Sequence, residues 1–226
     1  MNAVAAEALQ IEISPGEAVS ALLIQPSQSR ACYVFAHGAG AGMTHASMEK
    51  VAAGLAERGI ATLRYQFPYM EKGSKRPDAP AITHAAVRAA VADAGRRCDA
   101  LPLIAGGRSF GGRMTSQAQA HSPLPGVRGL AFLGFPLHPA GKPSNERARH
   151  LADVKIPMLF LQGTRDALAE LSLLEPVVKD LGSRATLHLL EGADHSFHVL
   201  KSSGRSDREV MDEALDAFAA WIERIV

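Results

Sequence analysis

The sequence predicts the α/β class: a mostly parallel central sheet with helices on both faces. Two observations carry that prediction. Six short runs are apolar at both odd and even positions, as strands buried on two faces must be. Between them lie stretches with helical periodicity or high helix propensity, so strand and helix alternate along the chain. With 226 residues, 47% of them hydrophobic, the chain can fill one sizeable core, and residues 1–226 are read as a single domain.

The elements follow in order. Residues 7–13 and 18–25 flank the turn signal Pro15-Gly16 and form an antiparallel pair at one edge. "ACYVFAH" (31–37) is the first buried strand. In 44–59, Met48, Val51, Ala52, Leu55 and Ala56 recur at helical spacing, with Gly59 at the C-terminal cap. "IATLRY" (60–65) is the next strand, and the alanine-rich stretch 79–97 is a helix by propensity. "LPLIAG" (101–106) leads into a helix over 110–120, and "VRGLAFLG" (127–134) and "PMLFLQG" (157–163) are further strands. A leucine-rich helix over 168–181 ends at Gly182 and precedes "ATLHLL" (185–190). In the last helix Ser206 and Glu209 make a capping box, and Met211, Leu215, Phe218, Ile222 and Ile225 share one face. The Pro-rich stretches 66–80 and 135–145 follow strands and read as loops at the edge where open α/β sheets bind ligands.

"GGRSFGG" (106–112) crowds four glycines around one serine between a strand and a helix. It fits G-x-S-x-G, a nucleophile elbow: a serine on a sharp, strained turn needs small neighbours two positions away on either side. A serine hydroxyl also needs a base, and the base needs a carboxylate to fix its tautomer. In chains with this elbow the partners follow as Ser, acid, His on loops after later strands. Here Asp166 follows the strand "PMLFLQG" and His195 follows "ATLHLL", so Ser109, Asp166 and His195 are the expected catalytic residues. His198 is the rival base, while Asp194 adjoins His195 too closely to orient its ring. The oxyanion hole should use the N–H groups of Phe110, after the nucleophile, and Ala39 in "HGAGAG", with Gly38 and Gly40 as alternatives. His37 reads as a structural anchor of that loop.

Substrate-binding residues are harder to read. Arg64, Tyr65 and Arg108 stand at strand ends near the elbow and are the candidates, with Arg113 and Arg165 as further cations for a carboxylate and structural ion pairs as the alternative role. Tyr65, Phe67, Tyr69, Phe135 and Leu137 either line a pocket or anchor loops.

Other classes find no support. The glycines lack the lysine of a P-loop and the spacing of a dinucleotide fingerprint. The His195-x-x-His198 pair lacks a third ligand, so neither metal nor cofactor is expected. Net charge is +1 with basic residues dispersed, which argues against nucleic acid. No apolar run approaches the roughly 18 residues of a membrane helix, and the N-terminus lacks the pattern of a secretory signal, so no membrane insertion and a cytoplasmic location are expected. Two cysteines, Cys32 and Cys98, make no disulfide framework.

Together "HGAGAG", "GGRSFGG", "GTRD" and "GADHSF", in that order, resemble the α/β-hydrolase superfamily over roughly residues 20–226. "LRYQFPY" with "GGRSFGGRM" is similar to the small bacterial relatives of the testis-expressed and NSL-complex-subunit group, which border the dienelactone hydrolases. The resemblance implies the α/β-hydrolase fold and a serine hydrolase triad acting on an ester or thioester of a small or flexible acyl substrate. Residues 134–156 are too few for a substantial lid. Because some members of the resembled group serve as complex subunits, the alternative is a non-catalytic protein-binding module on the same scaffold.

Overall fold

The computed structural model describes residues 5–226. Eight strands form one sheet: β1 (Glu7–Ser14), β2 (Glu17–Ile24), β3 (Ala31–Ala36), β4 (Ile60–Tyr65), β5 (Leu103–Arg108), β6 (Val127–Leu133), β7 (Met158–Gly163) and β8 (Ala185–Leu190). Their spatial order is β1-β2-β4-β3-β5-β6-β7-β8. The pairs from β4 through β8 are parallel, whereas β1 and β2 run antiparallel at the edge. Gly16, at φ +78°, makes the β1–β2 turn.

Both faces of the sheet are covered, which is why the strands read as unbroken apolar runs. On one face Val34, Phe132 and Phe160 pack beneath α3 (Pro80–Arg97), α4 (Phe110–His121) and α5 (Leu171–Leu181). On the other, Tyr33, Phe35 and Leu161 meet α1 (Ala46–Glu57) and α6 (Asp207–Ile225). The capping box of α6 is present in full: the Glu209 N–H donates to Ser206 Oγ, and Glu209 accepts from the Ser206 N–H.

Two details depart from the sequence reading. The loop 66–80 contains a one-turn helix, α2 (Pro68–Glu71). The leucine-rich helix starts at Leu171 rather than 168, because the chain before it is spent elsewhere. The Leu168 N–H goes to Asp166 Oδ1 at 2.8 Å, and the Leu168 carbonyl accepts from the N–H groups of Leu137 and His138.

Topology places the site. From β3 the chain crosses by α1 to β4 on one side and later by α3 to β5 on the other, so β3 and β5 flank the switch point where a crevice opens at the strands' carboxyl ends. Between β6 and β7 the chain forms only the 3-10 helix Glu146–Asp153, so that connection supplies no substantial lid to the crevice.

Candidate active site

At the end of β5, Ser109 adopts φ +50°, ψ −115° before the chain enters α4. A non-glycine residue there is strained, typically by 1–3 kcal/mol, and the surroundings must hold it. The glycines explain how. A Cβ at Gly107 would lie 2.4 Å from the Ala36 carbonyl oxygen and 2.8 Å from the Gly111 backbone carbon; one at Gly111 would lie 2.5 Å from the carbonyl oxygens of Ala36 and His37. Without side chains at both positions, β3, the elbow and the first turn of α4 can close on one another.

The three expected catalytic side chains meet. His195 Nδ1 stands 2.6 Å from Asp166 Oδ2, and His195 Nε2 stands 2.8 Å from Ser109 Oγ. A carboxylate only accepts, so Nδ1 carries the proton and Nε2 is free to accept from the serine hydroxyl. The Asp166 side chain is fully buried and that of His195 is 21% exposed, so the imidazole links a dry carboxylate to an open cleft. Asp166 Oδ1 takes the Leu168 N–H. Oδ2 also accepts from Gln162 Nε2, and Gln162 Oε1 accepts from the Phe135 N–H at 2.9 Å. Gln162 is thus a positioning residue that the sequence reading passed over. Its signal was a lone amide in the buried strand "MLFLQG", where a polar group must find partners.

The histidine loop is built by Asp194. Its Oδ1 accepts from the N–H groups of Ser196 and His198, while its backbone N–H donates to the His198 carbonyl. His198 points away: its exposed ring pairs with Asp207 at 2.8 Å, which raises the His198 pKa. Among the described residues its ring contacts neither Ser109 nor Asp166. Among the described residues, no cluster of three or more His, Cys, Asp or Glu side chains is arranged to hold a metal ion.

The loop after β3 brings Ala39 beside the elbow, and both Ala39 and Phe110 line the same cleft as Ser109. Among the described residues neither the Ala39 nor the Phe110 N–H donates to a protein acceptor. Loop geometry rests on His37, whose buried Nε2 accepts from the Phe67 N–H at 3.0 Å, leaving Nδ1–H to donate to the Gly38 carbonyl at 2.7 Å. Burial lowers the His37 pKa to about 4, so the ring stays neutral and keeps this pattern. Tyr69 Oη donates to the Ala39 carbonyl at 3.0 Å, a second tie.

The expected substrate-binding residues are placed otherwise. Arg64, Tyr65 and Arg108 do not line the cleft. Alternation along β4 sends Tyr65 into the core against Phe67 and Arg64 to the opposite face, where Nη1 donates to the Met43 carbonyl at 3.1 Å. Arg108 lies behind the histidine loop, over the Phe197 ring at 5.7 Å and with Nη2 3.5 Å from the His195 carbonyl. It braces that loop. Phe67, Phe135 and Leu137 are fully buried anchors, and exposed Arg165 donates to the Gly192 carbonyl.

The cleft itself holds about 410 Å³, with walls that include Pro80, Met114, Pro136 and Leu168. Grooves of about 590 and 600 Å³ along α6 are larger, but none of Ser109, Asp166 and His195 lines them.

A family model described as an alpha/beta hydrolase domain matches residues 29–223. Among solved structures, a dienelactone hydrolase from Anabaena variabilis ATCC 29413 is similar at 20% identity and TM-score 0.79, covering 98% of each chain. A serine hydrolase without a lid from Xanthomonas campestris aligns at 19% identity and TM-score 0.74, over 96% of this chain and 94% of that one. Est1E from Butyrivibrio proteoclasticus, solved with ferulic acid bound, aligns at 16% identity and TM-score 0.73, over 96% and 98%. At such identities the likeness bears on the fold.

Proposed function

The chain belongs to the alpha/beta hydrolase domain family, and from that premise we propose that it is a serine hydrolase cleaving an ester or thioester of a small or flexible acyl substrate. The observation that carries this reading is the unbroken series from buried Asp166 through His195 to the strained Ser109. His195 Nε2 accepts the Ser109 proton as Oγ attacks the carbonyl carbon. The charged imidazolium is held by Asp166, and the tetrahedral oxyanion is met by the N–H groups of Phe110 and Ala39. His195 then returns the proton to the departing alcohol or thiol. Water, deprotonated by the same nitrogen, releases the acyl group from Ser109. None of these steps calls on a cofactor.

Ser109→Ala tests the reading: turnover of a p-nitrophenyl ester should fall by roughly 10⁴-fold. Labelling of Ser109 by a fluorophosphonate should disappear with it. A folded wild-type protein that neither labels nor turns over esters would leave a binding module on a hydrolase scaffold.

A further inference from the structure

Three charged side chains of the cleft play no part in the triad: Asp78, Arg113 and Arg147. Arg113 sits one helical turn past the nucleophile, its N–H donating to the Ser109 carbonyl at 3.1 Å. Its guanidinium lies over the Phe110 ring at 5.7 Å, with Nε buried and without a partner. Arg147 arrives from the 3-10 helix Glu146–Asp153. Among the described residues neither arginine forms an ion pair with a carboxylate. Burial and, after it, the nearby charge of Arg147 lower the Arg113 pKa. Asp78 does not neutralise them, and its own Oδ2 is buried and unpartnered. Among the side chains that line the cleft two cations stand against one carboxylate, while the Asp166 carboxylate lies fully buried behind His195.

We infer that Arg113 and Arg147 bind an anionic group on the substrate's acyl arm, making the preferred substrate an ester or thioester of a dicarboxylic acid whose second carboxylate stays free. This rests on the serine-hydrolase reading above and adds its substrate class. The Arg113 backbone lies one helical turn, about 5.4 Å of rise, past Ser109, and its side chain lines the same cleft, which suits a carboxylate several bonds from the scissile carbonyl. Guanidinium forks match carboxylates, and desolvated cations without partners gain most from receiving one.

The test compares two esters of one length, mono-4-nitrophenyl adipate and its neutral methyl ester, on the full chain. Wild type should favour the anion by about tenfold or more in kcat/KM. That ratio should fall severalfold in Arg113→Gln and in Arg147→Gln, approach one in the double variant, and recover in part in Arg113→Lys. Because both esters are read on the same preparation, any loss of folded protein cancels. Raising NaCl from roughly 50 to 500 mM should also narrow the wild-type ratio. A wild-type ratio at or below one, with the neutral ester turned over, overturns the substrate class and leaves the triad standing. Turnover of neither ester by a protein that a fluorophosphonate labels has the same meaning. Neither turnover nor labelling overturns the serine-hydrolase reading and this inference with it.

Discussion

Alanine at position 107 is the smallest perturbation that asks whether the elbow needs its empty space. The added methyl would lie 2.4 Å from the Ala36 carbonyl oxygen, 2.8 Å from the Gly111 carbon and 2.8 Å from the Gly112 nitrogen. Non-bonded heavy atoms settle near 3.5 Å, so the overlap is roughly 1 Å, and all three neighbours are backbone atoms that no rotamer change can move aside. Either β3 retreats or the elbow and α4 do. Overpacking of this kind costs about 1–3 kcal/mol, and backbone on both sides argues for the upper part of that range. For a chain this long, about 3 kcal/mol lowers Tm by roughly 6–12 °C. The kinetic effect is separate: about 1 Å of displacement at a nucleophile costs on the order of 10²-fold in kcat. Thermal unfolding by circular dichroism and kcat on a p-nitrophenyl ester, normalised to the folded fraction, measure the two effects. Wild-type Tm together with wild-type kcat in Gly107→Ala would refute the account of why glycine flanks Ser109.

Gly95 supplies the opposite outcome, because it is exposed within α3 and a Cβ there would meet only Leu103 Cδ1, at 3.8 Å. Gly95→Ala should therefore stabilise by about 0.5–1 kcal/mol, seen as a higher urea midpoint at unchanged m-value, and destabilisation would contradict the contact geometry. His37 predicts a pH dependence: with its pKa lowered from 6.5 to about 4 in the folded state, the unfolded chain binds the extra proton between those values. Its stabilising contribution is fully present above pH 6.5 and is lost as pH falls toward 4, about 3 kcal/mol in all and about 2 of it by pH 5. Gln at 37 can still accept from the Phe67 N–H but does not titrate. Urea unfolding of His37→Gln should therefore lose about 2 kcal/mol less than wild type between pH 7 and 5. Equal losses would show that His37 is not held neutral. His150, also lowered to about 4 mainly by burial, keeps part of the slope in the variant.

Much of this molecule was legible in local patterns. Runs such as "ACYVFAH" and "PMLFLQG" are apolar at every position because both faces of their strands are covered, and that requirement is written residue by residue. The same holds for the Ser206–Glu209 capping box and for the glycines at 107 and 111, each needed for a contact within a few residues or with the adjacent strand. That Ser109, Asp166 and His195 meet could be expected without coordinates because each lies at the exit of a strand or in the loop after it, and parallel strands deliver their carboxyl ends to one rim.

Tertiary structure decided which way a side chain faces at that rim and what stands beside it. Arg64 and Tyr65 end a strand near the site, yet alternation turns one to each face of the sheet, and a one-dimensional pattern does not say which strand end borders the crevice. Gln162 became part of the site only because β7 runs beside β6, whose exit presents the Phe135 N–H. Asp78 reached the cleft from the loop before α3 and Arg147 from the 3-10 helix between β6 and β7, segments far apart in sequence. Periodicity encodes burial, a property of one residue and its immediate neighbours. A binding wall is a property of several chain segments at once, and only their packing brings it into being.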